Sequence, residues 1–214
     1  MKTMQKDLNL DRYKVWILDF DGTLYYQLPV RVIMGCWLLV YYLFHPSKIK
    51  YLFLLLEFRR LRESLAGTDF TNDVTYARKI NELCVKYNVT KDDVEKIITI
   101  WTEERPCFPI KMFQRKRLLQ TMRDHQKSGT LMVVYSDNPI QKKIKALSFK
   151  PDFCFDSNHE VIKCLKPNPQ GLNNIVQYLG KRKENIIYIG DRDDREGICA
   201  RTIGIKYFDV NELM

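Results

Sequence analysis

The 214-residue chain has no CxxC pair. Its six cysteines, Cys36, Cys84, Cys107, Cys154, Cys164 and Cys199, are scattered, which argues against a zinc site or a disulfide framework and for reduced, buried thiols. No apolar stretch reaches the roughly twenty residues that a helix needs to cross a bilayer. The longest uninterrupted one, "VIMGCWLLVYYLF" at 32–44, has thirteen. The opening "MKTMQKDLNLDRYK" carries charge but no apolar centre, so no signal peptide is expected. Internal repeats and low-complexity tracts are missing as well. So are zinc-finger spacing, a ribonucleoprotein aromatic signature and a long basic tail, which leaves nucleic acid without specific support as a partner.

The composition present is that of a globular protein, 45% apolar and 29% charged, and the length allows one core plus a smaller appendage. The formal net charge is +9, with basic clusters in "KMFQRKRLLQTMRDHQK" (111–127) and "QKKIKALSFK" (141–150). Such a balance favours anionic partners, although each cluster taken alone reads first as a solvated helix face. The run 32–44 reads as a helix buried on all sides or as an interface. A peripheral membrane-surface contact ranks behind these, suggested by the nearby "YLFLLLEFRRLR" with its basic end.

Strand-like runs rich in β-branched and aromatic residues occur at 14–20, 130–135, 153–155, 185–189 and 205–208. Helical patterns are predicted over 110–127, 139–147, 169–179 and 194–202, and Gly129, Gly180 and Gly204 fall where an αL residue stops a helix. Strand and helix alternating in this way predict an α/β domain, a Rossmann-like parallel sheet wrapped on both faces. The stretch 25–106 breaks the alternation: it holds no convincing strand and three or four helical segments. One of them, "KDDVEKIITIWTEE", opens on Thr90 and Asp93 in the manner of a capping box. "RPCFP" then reads as a linker. The predicted organisation is a core formed by 1–24 and 107–214, interrupted by an all-helical block at 25–106.

In open parallel sheets, ligands sit beyond the carboxyl ends of the strands. Four polar features fall there. Asp19 and Asp21, in "WILDFDGTLYY", follow the first strand; Ser136 follows the second; Asp191 follows the fourth; and Lys166, in "CLKPNP", precedes a helix between the third and fourth. Each alone reads as a turn residue, helix cap or loop lysine. Together, in chain order and at one edge of one sheet, they point to a single site.

These segments, "DFDGTL", "VVYSD", "KPNP" and "IGDRDDRE", resemble the four signature motifs of the haloacid dehalogenase superfamily of phosphohydrolases, and the helical block resembles that family's cap, inserted between the first and second motifs. The resemblance implies a magnesium-dependent phosphatase with Asp19 as nucleophile, forming an aspartyl-phosphate, and Asp21 as acid and then base. Gly22 would permit a sharp turn and close backbone approach to phosphate, and Thr23 would add a hydroxyl or backbone contact. Ser136 and the amide of Asp137 would hold phosphate oxygens, with Lys166 neutralising the nucleophile and the developing charge. Magnesium would be held by Asp19, Asp21 and Asp191. Its further support is open, because Arg195 stands where many relatives have an acid: Glu196 fits a longer spacing used in the family and the count back from Gly204, Asp194 is the rival, and Asp193 reads as a surface turn residue.

Family dehalogenases typically lack an acid at the position of Asp21, so its presence points to phosphate transfer. A phosphomutase would use the same residues and stays open; a catalytically inactive anion-binding module is the rival from another class. The expected partner is a small phosphorylated substrate in the cytoplasm. Arg31, Arg59, Arg60 and Arg62 are cap cations that either meet a second anionic group or form a solvated rim. The apolar cap segments read, in this order, as internal packing, a homodimer interface, or a site for a lipid-like phosphate ester.

Overall fold

The computed structural model describes residues 10–68, 73–157, 159–162 and 164–213. Residues 1–9 of the opening segment, on which the signal-peptide reading rests, lie outside these. Five strands form one parallel sheet: β1 (Val15–Leu18), β2 (Leu131–Tyr135), β3 (Phe153–Phe155), β4 (Ile186–Gly190) and β5 (Lys206–Asp209), in the order β3-β2-β1-β4-β5. β1 is central and buried on both faces, which is why its sequence runs apolar without alternation. Trp16, Leu18, Met132, Val134, Ile187 and Ile189 pack one face against α6 (Lys116–Lys127), through Leu118, Leu119 and Met122. Val15, Ile17, Val133, Ile186 and Tyr188 pack the other against α7 (Gln170–Leu179) and α8 (Ile198–Ile203). The α/β architecture is as predicted, and Gly180 and Gly204 end α7 and α8 in the left-handed conformation.

Two predicted helices differ. The pattern over 110–127 is broken into α5 (Cys107–Met112) and α6, because the chain between them is drawn into pairing with the chain leaving β1: Tyr25 and Gln114 form an antiparallel bridge, Tyr26 N donates to Phe113 O at 2.9 Å, and Arg115 N donates to Leu24 O at 2.9 Å. The two crossings between core and helical block are therefore bonded to each other. The segment 139–147 is a turn followed by a 3-10 turn at Ile144–Ala146. Ile140, Ile144 and Leu147 are buried at helical spacing, yet the backbone between them makes only turns.

The helical block comprises α1 (Gln27–Phe44), α2 (Ile49–Ser64), α3 (Asp73–Tyr87) and α4 (Lys91–Thr99), the last continued by a π-helical turn at Ile100–Glu104. The capping box is present in both directions: Asp93 N donates to Thr90 Oγ1 at 3.1 Å and Thr90 N to Asp93 Oδ2 at 3.1 Å. Leu54, Phe58, Ile80, Leu83 and Val94 join α2, α3 and α4, while Tyr42, Leu55 and Trp101 tie α1 to them.

The reading of α1 as buried on all sides is corrected. Only Val30 and Tyr42 are buried, and Val32, Cys36, Leu39, Val40, Leu43 and Phe44 recur at helical spacing on an exposed face, the last two 76% and 75% exposed. The helix packs on α2 and α5, which cover one side of it. At 18 residues and a mean hydropathy of 1.4 it meets the lower limit of length and composition for a membrane-crossing helix, but its N-terminal residues line the cavity described next. Among the cysteines, Cys164 and Cys199 are buried as expected, and Cys36 is exposed.

Candidate active site

The carboxyl ends of β1, β2 and β4 meet at a cavity of about 200 Å³, bordered by α1 and α2. Asp19, Asp21 and Ser136 line it with Asp137, and so do Lys166, Asp191 and Glu196. Asp19 continues the β1–β4 ladder, its N–H donating to Ile189 O at 2.9 Å, which fixes the backbone of the acid while its side chain turns into the cavity.

Lys166 lies buried at the centre. Its Nζ is 2.5 Å from Asp19 Oδ1 and 2.7 Å from Glu196 Oε1, and 5.1 Å from the centre of the Tyr135 ring. Burial works to lower its pKa, but Asp19 and Glu196 outweigh burial and hold the ammonium well above its ordinary range. For Asp19 the balance tips the other way. Burial pushes the carboxyl well up, Lys166 opposes it, and Glu196 and Asp191 add repulsion. Asp191 is raised by burial and then by Glu196. Three carboxylates thus share one ammonium, and the cluster is short of positive charge.

Asp21 has a different environment. Tyr25 donates to its Oδ1 at 2.6 Å, Asn138 to its Oδ2 at 3.0 Å, and Lys143 Nζ is 3.3 Å from Oδ1. Burial would raise this carboxyl, but Lys143 and the hydrogen bonds from Tyr25 and Asn138 prevail and it sits below its ordinary range. The two acids of one motif are therefore held apart electrostatically, one with a raised and one with a lowered proton affinity.

The fourth motif is resolved by backbone geometry. Residues Asp193–Gly197 form a π-helical turn. This wider turn brings Glu196 inward, 2% exposed, against Lys166. Arg195 faces Asp137 at 3.8 Å, and Asp194 is drawn outward by Arg192 at 2.8 Å, while Asp193 pairs with Arg201 at 2.6 Å on the surface. Of the two rival acids, the structure brings Glu196 into the cluster and leaves Asp194 outside it.

A divalent ion fits this donor set. Asp191 Oδ1 and Glu196 Oε2 are buried without a hydrogen-bond partner, and the excess of carboxylates calls for a cation. No three His, Cys, Asp or Glu side chains converge at metal-ligand spacing among the described residues, but magnesium takes one or two carboxylates, substrate phosphate and retained waters. Asp19 and Asp191 are the side chains placed for it. The Asp21 carboxylate is instead engaged by Tyr25, Asn138 and Lys143.

Gly22 has φ +98°, and a Cβ there would come within 2.1 Å of Asp191 Oδ2. Gly22→Ala is therefore expected to destabilise the fold by about 1–3 kcal/mol through backbone strain and to displace Asp191. Thermal melts with and without magnesium check this: the variant should melt lower and lose the stabilisation that the ion gives the wild type.

Gly22 itself is buried beside the cavity and does not line it, and Thr23 is fully buried behind Asp19, its hydroxyl donating to Asp19 Oδ2 at 3.3 Å. The Thr23 hydroxyl thus orients Asp19. Ser136 Oγ accepts from Asn138 N at 3.1 Å, and Asp137 Oδ1 accepts from Lys166 N at 3.0 Å. Arg60 does not reach the cavity; Arg31, Arg59 and Arg62 do. Sequence reasoning missed Tyr25, Asn138 and Lys143 around Asp21, and Arg115, which donates to Gly22 O at 3.2 Å. Lys143 belongs to the basic cluster 141–150, where nothing separates it from its solvated neighbours except its place in the buried spacing with Ile140 and Ile144.

The fold is an α/β core with a parallel sheet, under a helical cap at its strand ends. The chain belongs to the haloacid dehalogenase-like hydrolases, whose family model matches residues 13–196. Among similar solved structures are the 2-haloacid dehalogenase of Pseudomonas syringae pv. Tomato DC3000 (15% identity, TM-score 0.62, covering 91% of this chain and 85% of that one) and a predicted phosphoglycolate phosphatase from Haemophilus somnus 129pt (14%, 0.52, 94% and 88%). A third is the assigned HAD-hydrolase YfnB of Bacillus subtilis, bound to magnesium (13%, 0.57, 92% and 87%). At these identities the likeness is one of fold. No curated protein matches the chain.

Proposed function

We propose that the protein is a cytoplasmic, magnesium-dependent phosphatase that hydrolyses a small phosphate monoester through an aspartyl-phosphate on Asp19. The observation that carries this reading is Asp21, an acid two residues beyond the nucleophile and lining the same cavity. An alkoxide leaving group needs a proton, whereas halide does not.

In the first half-reaction an Asp19 carboxylate oxygen attacks phosphorus, the ester P–O bond breaks, and protonated Asp21 delivers its proton to the leaving oxygen. Asp21 is ionised in the free site by Lys143, Tyr25 and Asn138; a phosphoryl dianion placed beside it raises its proton affinity. In the second half-reaction Asp21 takes a proton from water, whose oxygen attacks phosphorus and releases inorganic phosphate and the Asp19 carboxylate. Lys166 offsets negative charge near the nucleophile throughout, and Ser136 with the Asp137 amide faces the transferred oxygens. Magnesium, when bound by Asp19 and Asp191, supplies the remaining positive charge.

The test is release of inorganic phosphate from a generic aryl phosphate. Turnover is expected with magnesium and should fall to background on chelation, with no halide released from 2-haloacids. Halide release without phosphate release would overturn the reading in favour of a dehalogenase. Isomerisation of a sugar phosphate on addition of a bisphosphate activator, without net phosphate release, would favour a phosphomutase.

A further inference from the structure

The exposed face of α1 has no part in phosphoryl transfer, and a helix that faces water normally presents polar side chains to it. Val32, Cys36, Leu39, Val40, Leu43 and Phe44 follow one another along this face, with Leu28 exposed ahead of them. The helix contains no acid, and its one cation is Arg31. The apolar exposure continues beyond α1. After the turn at 45–48, α2 exposes Ile49, Phe53 and Leu56 at helical spacing, and Arg60 follows on the same face. α5, which also packs on α1, exposes Phe108 and Met112 one turn apart, and the Phe108 ring stacks on Trp37 of α1 with centres 6.1 Å apart. Apolar exposure shared by three touching helices marks an interaction surface.

The charge around this surface has one sign. From Gln27 to Ser64 the chain holds six lysines and arginines against two acids, and both acids are taken, Glu57 by Lys86 and Glu63 by Arg59. Lys48 just past the end of α1, Arg60 on α2 and Lys111 on α5 are exposed. Apolar helix faces bordered by cations complement an anionic bilayer: the apolar side chains enter the headgroup boundary while the cations meet lipid phosphates. A second copy of the chain suits the surface less well, because a symmetric contact would bring two cationic borders together. A full crossing by α1 conflicts with its packing, since Val30 and Tyr42 are buried in protein and Gln27 lines the cavity.

We propose that the exposed faces of α1, α2 and α5 form a docking surface for an anionic lipid bilayer, on which the protein lies peripherally. The helix that carries most of this surface begins at the cavity wall, so docking holds the cavity within the length of α1, about 27 Å, of the lipid. The proposal stands apart from the phosphatase reading, and its test needs no turnover.

The full chain is mixed with vesicles of phosphatidylcholine alone and with vesicles in which about a third of that lipid is replaced by phosphatidylglycerol, and bound protein is separated by flotation. The wild type is expected to float with the anionic vesicles and to be released in part by salt. A Leu39→Gln, Leu43→Gln double variant, altered only at exposed positions, should melt as the wild type does and bind at least ten-fold more weakly. A Lys48→Glu, Arg60→Glu double variant should lose about ten-fold on anionic vesicles and nothing on neutral ones. No binding by the wild type to the anionic vesicles overturns the proposal. So does binding that the leucine pair leaves unchanged, which would assign it to net positive charge alone. A concentration-dependent dimer in sedimentation velocity, lost in the leucine variant and unaccompanied by vesicle binding, would give the surface to a second copy and overturn the proposal as well.

Discussion

Asp19→Asn is expected to abolish phosphate release from an aryl phosphate, by about four orders of magnitude or more, the scale seen when a nucleophile is removed from a preorganised site. The substitution keeps the shape of the side chain and removes the attacking oxygen's charge. It also removes one member of a crowded set of carboxylates, since Asp19, Glu196 and Asp191 repel one another around a single lysine. The variant should therefore melt no lower than the wild type in chelator. Loss of activity with an intact melting transition identifies chemistry, not folding, as the missing quantity. Phosphate release at an undiminished rate would reject Asp19 as the nucleophile.

Lys166→Met has the second largest expected effect, and it acts on stability as well as rate. The ammonium bridges Asp19 and Glu196, both almost fully buried. Removing one partner of a buried ionic group costs about 3–5 kcal/mol because the remaining charges are left uncompensated, which for a chain of this size lowers the melting temperature by roughly 10 °C. The acids left behind should take up protons, so the loss will be smaller in acid than at neutral pH. Magnesium should narrow the gap, since it supplies charge to the same cluster. Phosphate release by Lys166→Met within ten-fold of wild type would show that the lysine is structural and not part of the charge stabilisation.

Much of this site was legible because its elements are marked by abrupt changes in the chain. β1 and β4 are buried on both faces, so each reads as an apolar run, and the carboxylates that end them have no packing explanation. The count back from Gly204 favoured Glu196 but left Asp194 open, and it is the π-helical turn at Asp193–Gly197 that turns Glu196 inward. Thr90 and Asp93 announced their helix by local chemistry alone.

What was hidden depended on partners distant in the chain. The spacing of Ile140, Ile144 and Leu147 is helical because one side of the segment is buried, yet the backbone makes only turns. Hydrophobicity along α1 does not say which of its sides a neighbour covers, and the outward stripe from Val32 to Phe44 reads the same as a core stripe. Lys143 is one lysine in a basic cluster until Asp21 is placed beside it, and Arg115 is one arginine in a basic helix start until Gly22 is.

Tyr25 joins two of these features. Its backbone pairs with Gln114 where the block meets the core, and its hydroxyl grips Asp21. One residue thus fastens the seam between block and core and lowers the proton affinity of Asp21, so the seam and the acid share a single anchor.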